Sequence, residues 1–223
     1  MLRDRANGAL SEFLQYLAAH EQVDQSLPAL TALSQTLGVS VASLREQLEV
    51  ARALGLVDVR PRTGIRRQPY SFSTSVRQSL RYAIALDRAH FQTFADLRNH
   101  VEAAYWFEAV AKLTEADMTE LESILARAWE RLRAEPIHVP HEEHRRLHLL
   151  IYNRLQNPFV TGLLEAYWDA YEAVGLNVFA GGYEYLEEVW RYHHRMVESI
   201  RNGDYEAGHR ALIEHTNLIA HRP

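Results

Sequence analysis

Residues 37–67, LGVSVASLREQLEVARALGLVDVRPRTGIRR, contain a helix with both of its boundary signals and a short basic hairpin after it. Ser40 is a preferred N-cap residue, and the apolar spacing that follows predicts a helix over 41–54. Gly55 then ends that helix. Residues 56–68 alternate like a strand, pass through Pro-Arg-Thr-Gly turn chemistry and return, which predicts a β-hairpin.

Two more helices precede this stretch. Apolar residues recur at helical spacing early in the chain and predict a first helix over about 4–20. A short second helix fits 28–37, with Pro28 in its first turn and Gly38 as its stop. The order helix, helix, turn, helix, hairpin predicts a winged helix-turn-helix domain over 1–70.

In this architecture the third helix enters the major groove of DNA by its N-terminal residues, and the hairpin lies along the backbone or in the minor groove. The predicted DNA contacts are therefore Ser40, Ser43 and Arg45 on the helix, and Arg62, Thr63, Gly64, Arg66 and Arg67 on the wing. Residues 1–70 carry a net charge of +1 and the remainder −6, which is typical of a nucleic-acid reader joined to another module. Winged helices also bind proteins, so contact with a protein is the alternative interpretation.

Several of these residues also carry a family resemblance: Leu27-Pro28, Leu33, Leu37-Gly38-Val39-Ser40, Leu44-Arg45-Glu46, Leu48, Gly55-Leu56-Val57, Arg60-Pro61 and Gly64. The pattern resembles the DNA-binding domain of the GntR superfamily of bacterial repressors and covers about residues 5–68. It implies a homodimer bound to operator DNA with an inverted repeat. Thr31 and Val41 stand where that family usually has arginine, and an arginine contact to guanine contributes about 1–3 kcal/mol of discrimination.

The composition excludes several other classes of protein. The chain has 223 residues, 47% of them hydrophobic and 24% charged, enough for two domains with real cores. It has no cysteine, so disulfides, thiolate metal sites and cysteine nucleophiles are excluded. The sequence has no apolar run of about 18 residues and no signal peptide, which predicts a cytoplasmic protein with no membrane partner.

The remaining residues, 71–223, show helical periodicity throughout and predict an all-α helical bundle, so that the chain as a whole is mainly α. The predicted helices are 74–88, 90–112, 115–134, 140–156, 158–176, 183–201 and 204–220. Pro140 opens one of them, and Gly203-Asp204 combines a helix stop with a following N-cap.

Nine of the twelve histidines lie after residue 137. At about 100° per residue, His144 and His148 fall on the apolar stripe of one predicted helix, and His193 and His215 fall on those of two others. One buried histidine is usually a hydrogen-bonded core residue, but four would leave many ring nitrogens without water. An i, i+4 histidine pair with two more inward histidines therefore predicts a four-ligand metal site. His141 and Glu143 are reserve ligands.

The same region resembles the helical effector domain of the FadR subfamily, called FCD, through His148, Asn157-Pro158, His193, Ile200, Gly203-Asp204, Ala207, Ala211 and His215. The resemblance implies a divalent ion, often zinc or nickel, held by an aspartate and three histidines beside a cavity for a small carboxylate. His144 stands at the aspartate position, so the site loses one negative charge. Four tetrahedral ligands would make the site closed and structural, whereas a higher coordination number would admit an effector carboxylate.

Residues 97–102 resemble the arginine-bearing helix of that domain, which implies an effector-binding role for Arg98 together with Glu102. On the helical wheel Arg98 lies at the margin of the apolar stripe. A guanidinium there could clamp a carboxylate with two hydrogen bonds. The alternatives are a surface arginine and a simple ion pair with Glu102.

Together these features predict a transcriptional regulator, not an enzyme, whose operator affinity changes when a small organic acid binds beside the metal. One alternative is a helical metalloenzyme in which the ion activates water, with Glu143 or Glu108 as general base. The other is a metal or ligand sensor whose winged helix contacts a protein.

Overall fold

A computed structural model of the chain describes residues 10–20, 26–60, 64–175 and 182–220. Residue contacts divide the chain into two compact units, residues 1–78 and 79–223. The division falls inside the helix after the hairpin, whereas the sequence places the boundary before that helix, after residue 70. Thr74, on its first turn, packs against Gly55 and so belongs with the N-terminal unit.

The N-terminal unit is a winged helix-turn-helix, as the sequence predicts. Its elements are α1 (Glu12–Ala19), α2 (Leu30–Leu37), α3 (Val41–Ala53), β1 (Val57–Arg60) and β2 (Gly64–Arg67). The two strands pair antiparallel, with Val57 opposite Arg67 and Arg60 opposite Gly64. Buried apolar residues from all five elements form its core: Phe13, Leu17, Leu33, Leu44, Leu48, Ala51, Val57 and Ile65.

Capping residues decide where these helices begin. Ser40 accepts a hydrogen bond from the backbone N–H of Ser43 at 3.1 Å and so starts α3 as predicted. The first helix begins later than the predicted residue 4, because Ser11 caps it by accepting a hydrogen bond from Leu14 N–H. Leu10 therefore precedes the helix, and residues 4–9 lie outside the described ranges.

Three described glycines of this unit, Gly38, Gly55 and Gly64, have left-handed backbones, and the first two follow helices. Gly38 ends α2 with φ of 65°, and a Cβ built there would meet no atom within 4 Å. Gly55 follows α3 with φ of 74°, and a Cβ there would come 2.7 Å from Cγ2 of Thr74. The turn at Gly55 therefore requires glycine both for its backbone and for its space.

The second unit is an all-α bundle, which confirms the predicted mainly-α fold. Its described helices, with α4 crossing the division, are α4 (Phe72–Leu86), α5 (Ala89–Val110), α6 (Glu115–Arg133), α7 (His141–Tyr152), α8 (Pro158–Ala170), α9 (Tyr183–Arg201) and α10 (Tyr205–Ala220). Two predicted helices change character near their ends. The one over 140–156 becomes a 3-10 turn at Asn153–Leu155, and the one over 158–176 becomes a π-helical turn at Tyr171–Gly175.

The core of the bundle lies where α5, α6, α7, α9 and α10 meet. It includes Trp106, Leu121, Ile124, Leu147, Ile151, Trp190, Val197 and Leu212. A second apolar cluster joins α5 to α8 through Phe91, Ala95, Tyr167 and Trp168. Within the described ranges, no helix is long and apolar enough to cross a membrane.

Candidate functional site

The four predicted histidines meet inside the helical bundle. His144 and His148 lie one turn apart on α7, His193 lies on α9 and His215 on α10. Three of the side chains have no exposed surface, and His144 is 8% exposed. One ring nitrogen from each lies within 4.8 Å of the corresponding nitrogens of the other three.

Ordinary helix packing produces this convergence. His148 shares the buried stripe of α7 with Leu147 and Ile151, both of which are inaccessible to solvent. His193 lies next to Trp190 on the buried face of α9, with 4.7 Å between their ring centroids. Because α10 packs against α9, the ring of His215 comes within 4.3 Å of that of His193.

The ring nitrogens are poorly satisfied by the protein. Within the described ranges, Nε2 of His144, Nδ1 of His148, Nδ1 of His193 and both nitrogens of His215 are buried without a hydrogen-bond partner. Nε2 of His148 lies 3.1 Å from Nε2 of His193. Leaving buried polar atoms unpaired costs about 1–3 kcal/mol each, so the cluster as it stands is destabilising.

The donor set fits a divalent transition metal. Imidazole binds zinc at about 2.0–2.1 Å, so adjacent ligand nitrogens in a tetrahedral site lie about 3.3 Å apart. The separation between His148 and His193 is close to this value, and the 4.8 Å limit of the cluster requires only a modest contraction. Neutral nitrogen donors of this kind suit zinc, nickel, copper or iron.

Electrostatics keep these histidines in the form that binds metals. Burial holds the pKa of all four imidazoles well below the ordinary range of histidine, and the Arg98 guanidinium lowers each pKa further. Since only the neutral ring offers a lone pair to an ion, the site needs no deprotonation at neutral pH.

Arg98 and Glu102 form a buried pair beside this cluster. Their side chains are 1% and 0% exposed, and Nη2 of Arg98 lies 3.1 Å from Oε2 of Glu102. The other carboxylate oxygen, Oε1, lies 3.2 Å from Nδ1 of His148. Burial raises the pKa of Glu102 to about 7, against the opposing effects of Arg98 and His215. The helical wheel placed Arg98 only at the margin of the stripe, but the structure buries it completely.

The guanidinium of Arg98 retains unused donors. Its Nη1 donates to Oδ1 of Asn99 at 3.1 Å, whereas Nε and Nη2 have no partner with hydrogen-bond geometry in the described structure. The group lies over the rings of Tyr167 and Trp168, 4.7 and 5.1 Å from their centroids. Because Nη2 already faces Glu102 in the ion pair, Nε is the donor of this buried cation that remains suited to bind another anion.

Aromatic side chains of α8 enclose the site, and their sequence pattern marks them as core residues and not as site residues. The ring centroid of Trp168 lies 4.6 Å from that of His144 and 5.2 Å from that of His148. Its indole nitrogen is buried without a partner within the described residues. The i, i+4 spacing of Leu164 and Trp168 on the apolar face of α8 was the available signal.

The reserve residues have other partners or lie farther out. Glu143 is buried, but its carboxylate pairs with Arg131 at 2.9 Å. His141 is half-buried, and its ring lies against Tyr171 with centroids 6.2 Å apart. Glu108, the other general base weighed for an enzyme, is exposed and paired with Lys112 at 2.6 Å.

The predicted DNA-contacting residues divide by exposure. Ser40 and Arg45 are exposed at the N-terminal part of α3, whereas Ser43 is half-buried and accepts a hydrogen bond from Gln47. On the wing, Gly64 and Arg66 are exposed, but Arg67 follows Ile65 on the inner face and is half-buried. Successive residues of a strand point to opposite faces, which explains the difference between the two arginines. Arg62 and Thr63 lie outside the described residues.

Comparison with known proteins identifies the family of the helical unit. The FCD domain family matches residues 93–218. Since this match spans more than half of the chain, the chain belongs to the FCD domain family.

Two solved structures share the fold at low sequence identity. The first is Streptococcus agalactiae GntR, with a TM-score of 0.70, 16% identity and coverage of 93% of this chain and 94% of that one. The second is E. coli McbR/YncC, with a TM-score of 0.51, 18% identity and coverage of 94% and 95%. No curated protein matches the chain.

Proposed function

We propose that this protein is a transcriptional regulator that binds an operator as a homodimer. In this proposal a small carboxylate, bound beside a histidine-ligated divalent ion, changes the affinity of the protein for DNA. The observation that carries the proposal is the buried cluster of His144, His148, His193 and His215 with Arg98 beside it. The unsatisfied ring nitrogens of the cluster can ligate a metal ion. The unpaired Nε–H of the Arg98 guanidinium can bind an anion.

His144, His148, His193 and His215 are the ligands in this proposal, and zinc or nickel is the expected ion. With a coordination number above four, the bound ion would supply a Lewis acid to which a carboxylate oxygen could ligate in addition to the four imidazoles. Arg98 would bind the same carboxylate through its Nε–H, while Tyr167 and Trp168 keep the guanidinium in place and exclude water. Glu102 pairs with Nη2 of Arg98, so the guanidinium is already oriented before an effector binds.

The DNA-binding residues in this proposal are those exposed on α3 and on the wing: Ser40, Arg45, Gly64 and Arg66. A two-fold dimer would read an inverted repeat, because the symmetry of the protein is matched by that of the DNA. The effector changes operator affinity only by the difference between its own affinities for the two arrangements of the reading heads.

The test measures operator binding in the presence of carboxylates. DNA from upstream of the protein's own coding region is titrated with the metal-loaded protein at several salt concentrations, with lactate, succinate and citrate as mono-, di- and tricarboxylate probes. We expect salt-dependent binding and a change of at least about threefold in Kd with one class of acid. An acid that binds the helical unit by calorimetry but leaves the Kd for DNA unchanged would refute the switch.

A further inference from the structure

The four predicted ligands are all neutral when they bind. Four imidazoles around a divalent ion leave its full charge uncompensated in a site that is closed to solvent. The nearby Arg98 guanidinium adds another positive charge, and it too is 1% exposed. Concentrating positive charge in a low-dielectric interior is costly, so a stable site needs a negative group close to it.

Glu102 is that group by position. Its carboxylate has no exposed surface and touches the cluster on one side and the arginine on the other. Oε1 lies 3.2 Å from Nδ1 of His148, on the side of the ring opposite the nitrogen that faces His193. The two atoms are within hydrogen-bonding distance but do not have hydrogen-bond geometry, and neither has another hydrogen-bond partner in the described structure. The backbone carbonyl of the same residue accepts a hydrogen bond from the hydroxyl of Tyr152 at 2.9 Å, which ties this turn of α5 to the end of α7.

We propose that Glu102 is the positioning residue of the metal site: after a small reorientation of the ring, its carboxylate accepts a hydrogen bond from Nδ1–H of His148 and supplies the negative charge that the four-histidine ligand set lacks. This inference rests on the proposed metal site and concerns a contact outside the ligand set. With the proton held on Nδ1, the lone pair of His148 is on Nε2, the nitrogen directed at His193.

The alternative role for Glu102 is simply to neutralise Arg98. A purely structural partner of Arg98 would not fix the tautomer of an imidazole 46 positions away on another helix. The contact of Oε1 with His148, separate from the contact of Oε2 with Arg98, is what distinguishes the two roles. Carboxylates that contact the second nitrogen of a ligating histidine typically contribute 10–100-fold to metal affinity.

The first experiment uses Glu102→Gln, which keeps the shape of the side chain and removes its charge. Zinc affinity is measured by competition with a chromophoric chelator, and the fold of each variant is checked by circular dichroism. We expect a loss of about 10–100-fold in affinity for Glu102→Gln. Glu102→Asp, which keeps the charge, is expected to retain more affinity than Glu102→Gln.

Glu143→Gln is the matched control, since Glu143 is also a buried carboxylate paired with an arginine but has no contact with a ring nitrogen of the four ligands in the described structure. We expect its zinc affinity to stay within about threefold of the wild type. A folded Glu102→Gln protein that binds zinc as tightly as the wild type would overturn the proposal.

The second experiment measures the wild-type protein without metal and uses a variant only to assign a signal. Long-range ¹⁵N–¹H NMR of the metal-free wild-type protein identifies the tautomer of His148, which is assigned by the signal lost in His148→Gln. We expect the proton on Nδ1, and a proton on Nε2 would overturn the proposal. If the wild type binds no metal while His148 carries its proton on Nδ1, the proposed metal site fails but the contact with Glu102 stands, so the two failures are distinguishable.

Discussion

Nε2 of His148 lies 3.1 Å from Nε2 of His193, although the two residues are 45 positions apart and lie on different helices. Both side chains are fully buried. Two such nitrogens can share one hydrogen bond, but the two remaining histidines of the cluster then keep unsatisfied nitrogens. A single ion would bind one nitrogen of each of the four rings at once, which a hydrogen bond between two of them does not do, and the cluster therefore fits a metal site.

Stability of the metal-free protein should fall with acidification. The folded-state pKa of the four buried histidines lies well below the ordinary value of 6.5, so the unfolded chain takes up protons first as the pH drops below 6.5. Their contribution to stability is complete above pH 6.5 and is lost below it, with a limiting slope of about 1.4 kcal/mol per pH unit for each imidazole.

Glu102 works in the opposite direction, since its raised pKa of about 7 makes its contribution complete below the unfolded value of 4.5 and smaller as the pH rises through 7. One carboxyl offsets only part of the effect of four imidazoles. Urea unfolding of chelator-treated protein at pH 7.5, 6.5 and 5.5 measures the net slope. We expect His215→Gln to reduce this slope and His194→Gln, at an exposed position, to leave it unchanged; equal slopes in all three proteins would contradict the assignment.

Replacing Arg98 should separate effector binding from metal binding. Arg98→Gln removes the charge and the forked donors but none of the four imidazoles. We expect binding of the carboxylate probe to weaken by at least about tenfold, because charge-assisted hydrogen bonds contribute about 1.5–3 kcal/mol, while the metal remains bound. Arg127→Gln, on the surface of α6, is the control. Calorimetry checks the prediction, and undiminished carboxylate binding in a metal-loaded Arg98→Gln protein would be incompatible with it.

The two arginines at the end of the wing should differ in their effects. Arg66 is exposed and Arg67 is half-buried on the inner face of the hairpin, where its Nη1 is buried. We expect Arg66→Gln to weaken operator binding and to reduce the slope of log K against log salt by about one. Arg67→Gln should affect the thermal stability of the reading head more than this slope. Fluorescence anisotropy at four salt concentrations measures operator binding by the two variants. A slope of log K against log salt that both substitutions lower equally would contradict the prediction.

Gly55→Ala should destabilise the N-terminal unit more than Gly38→Ala. Both positions have a left-handed backbone that costs about 1 kcal/mol for a residue with a side chain. Only at Gly55 does the added Cβ also collide with Thr74, at 2.7 Å. Thermal unfolding of the two variants measures the difference, and equal losses of stability would show that Thr74 moves aside without cost.

The histidine cluster was predictable from the sequence because helix periodicity is regular. Counting about 100° per residue placed His144, His148, His193 and His215 on buried stripes, and helices that pack into one core bring such stripes together. The winged helix was predictable for a different reason. Gly38, Ser40 and Gly55 are helix-stop and helix-cap residues, and these act on the backbone next to them. The predicted start of α1 is wrong because the apolar spacing extends to Leu10, whereas the N-cap at Ser11 makes the helix begin at Glu12.

Contacts between distant side chains were not predictable in this way. Glu102 and His148 lie on helices whose relative rotation depends on the packing of the whole bundle, so their 3.2 Å contact has no sequence signal. Arg98 was placed at a stripe margin because the wheel takes no account of Tyr167 and Trp168, which cover the guanidinium from α8. The inward direction of Arg67 follows from strand alternation with Ile65, and that signal was present in the sequence.

Elemental analysis of the purified protein and of two neighbouring variants on α9 tests the metal site most directly. His193 is fully buried in the cluster, whereas His194 is exposed on the same helix. We expect roughly one divalent ion per chain in the wild type and in His194→Ala, and little or none in folded His193→Ala, because the latter loses one of four ligands. Equal metal content in His193→Ala and His194→Ala, or a wild type that takes up no zinc or nickel, would contradict the assignment of these histidines as ligands.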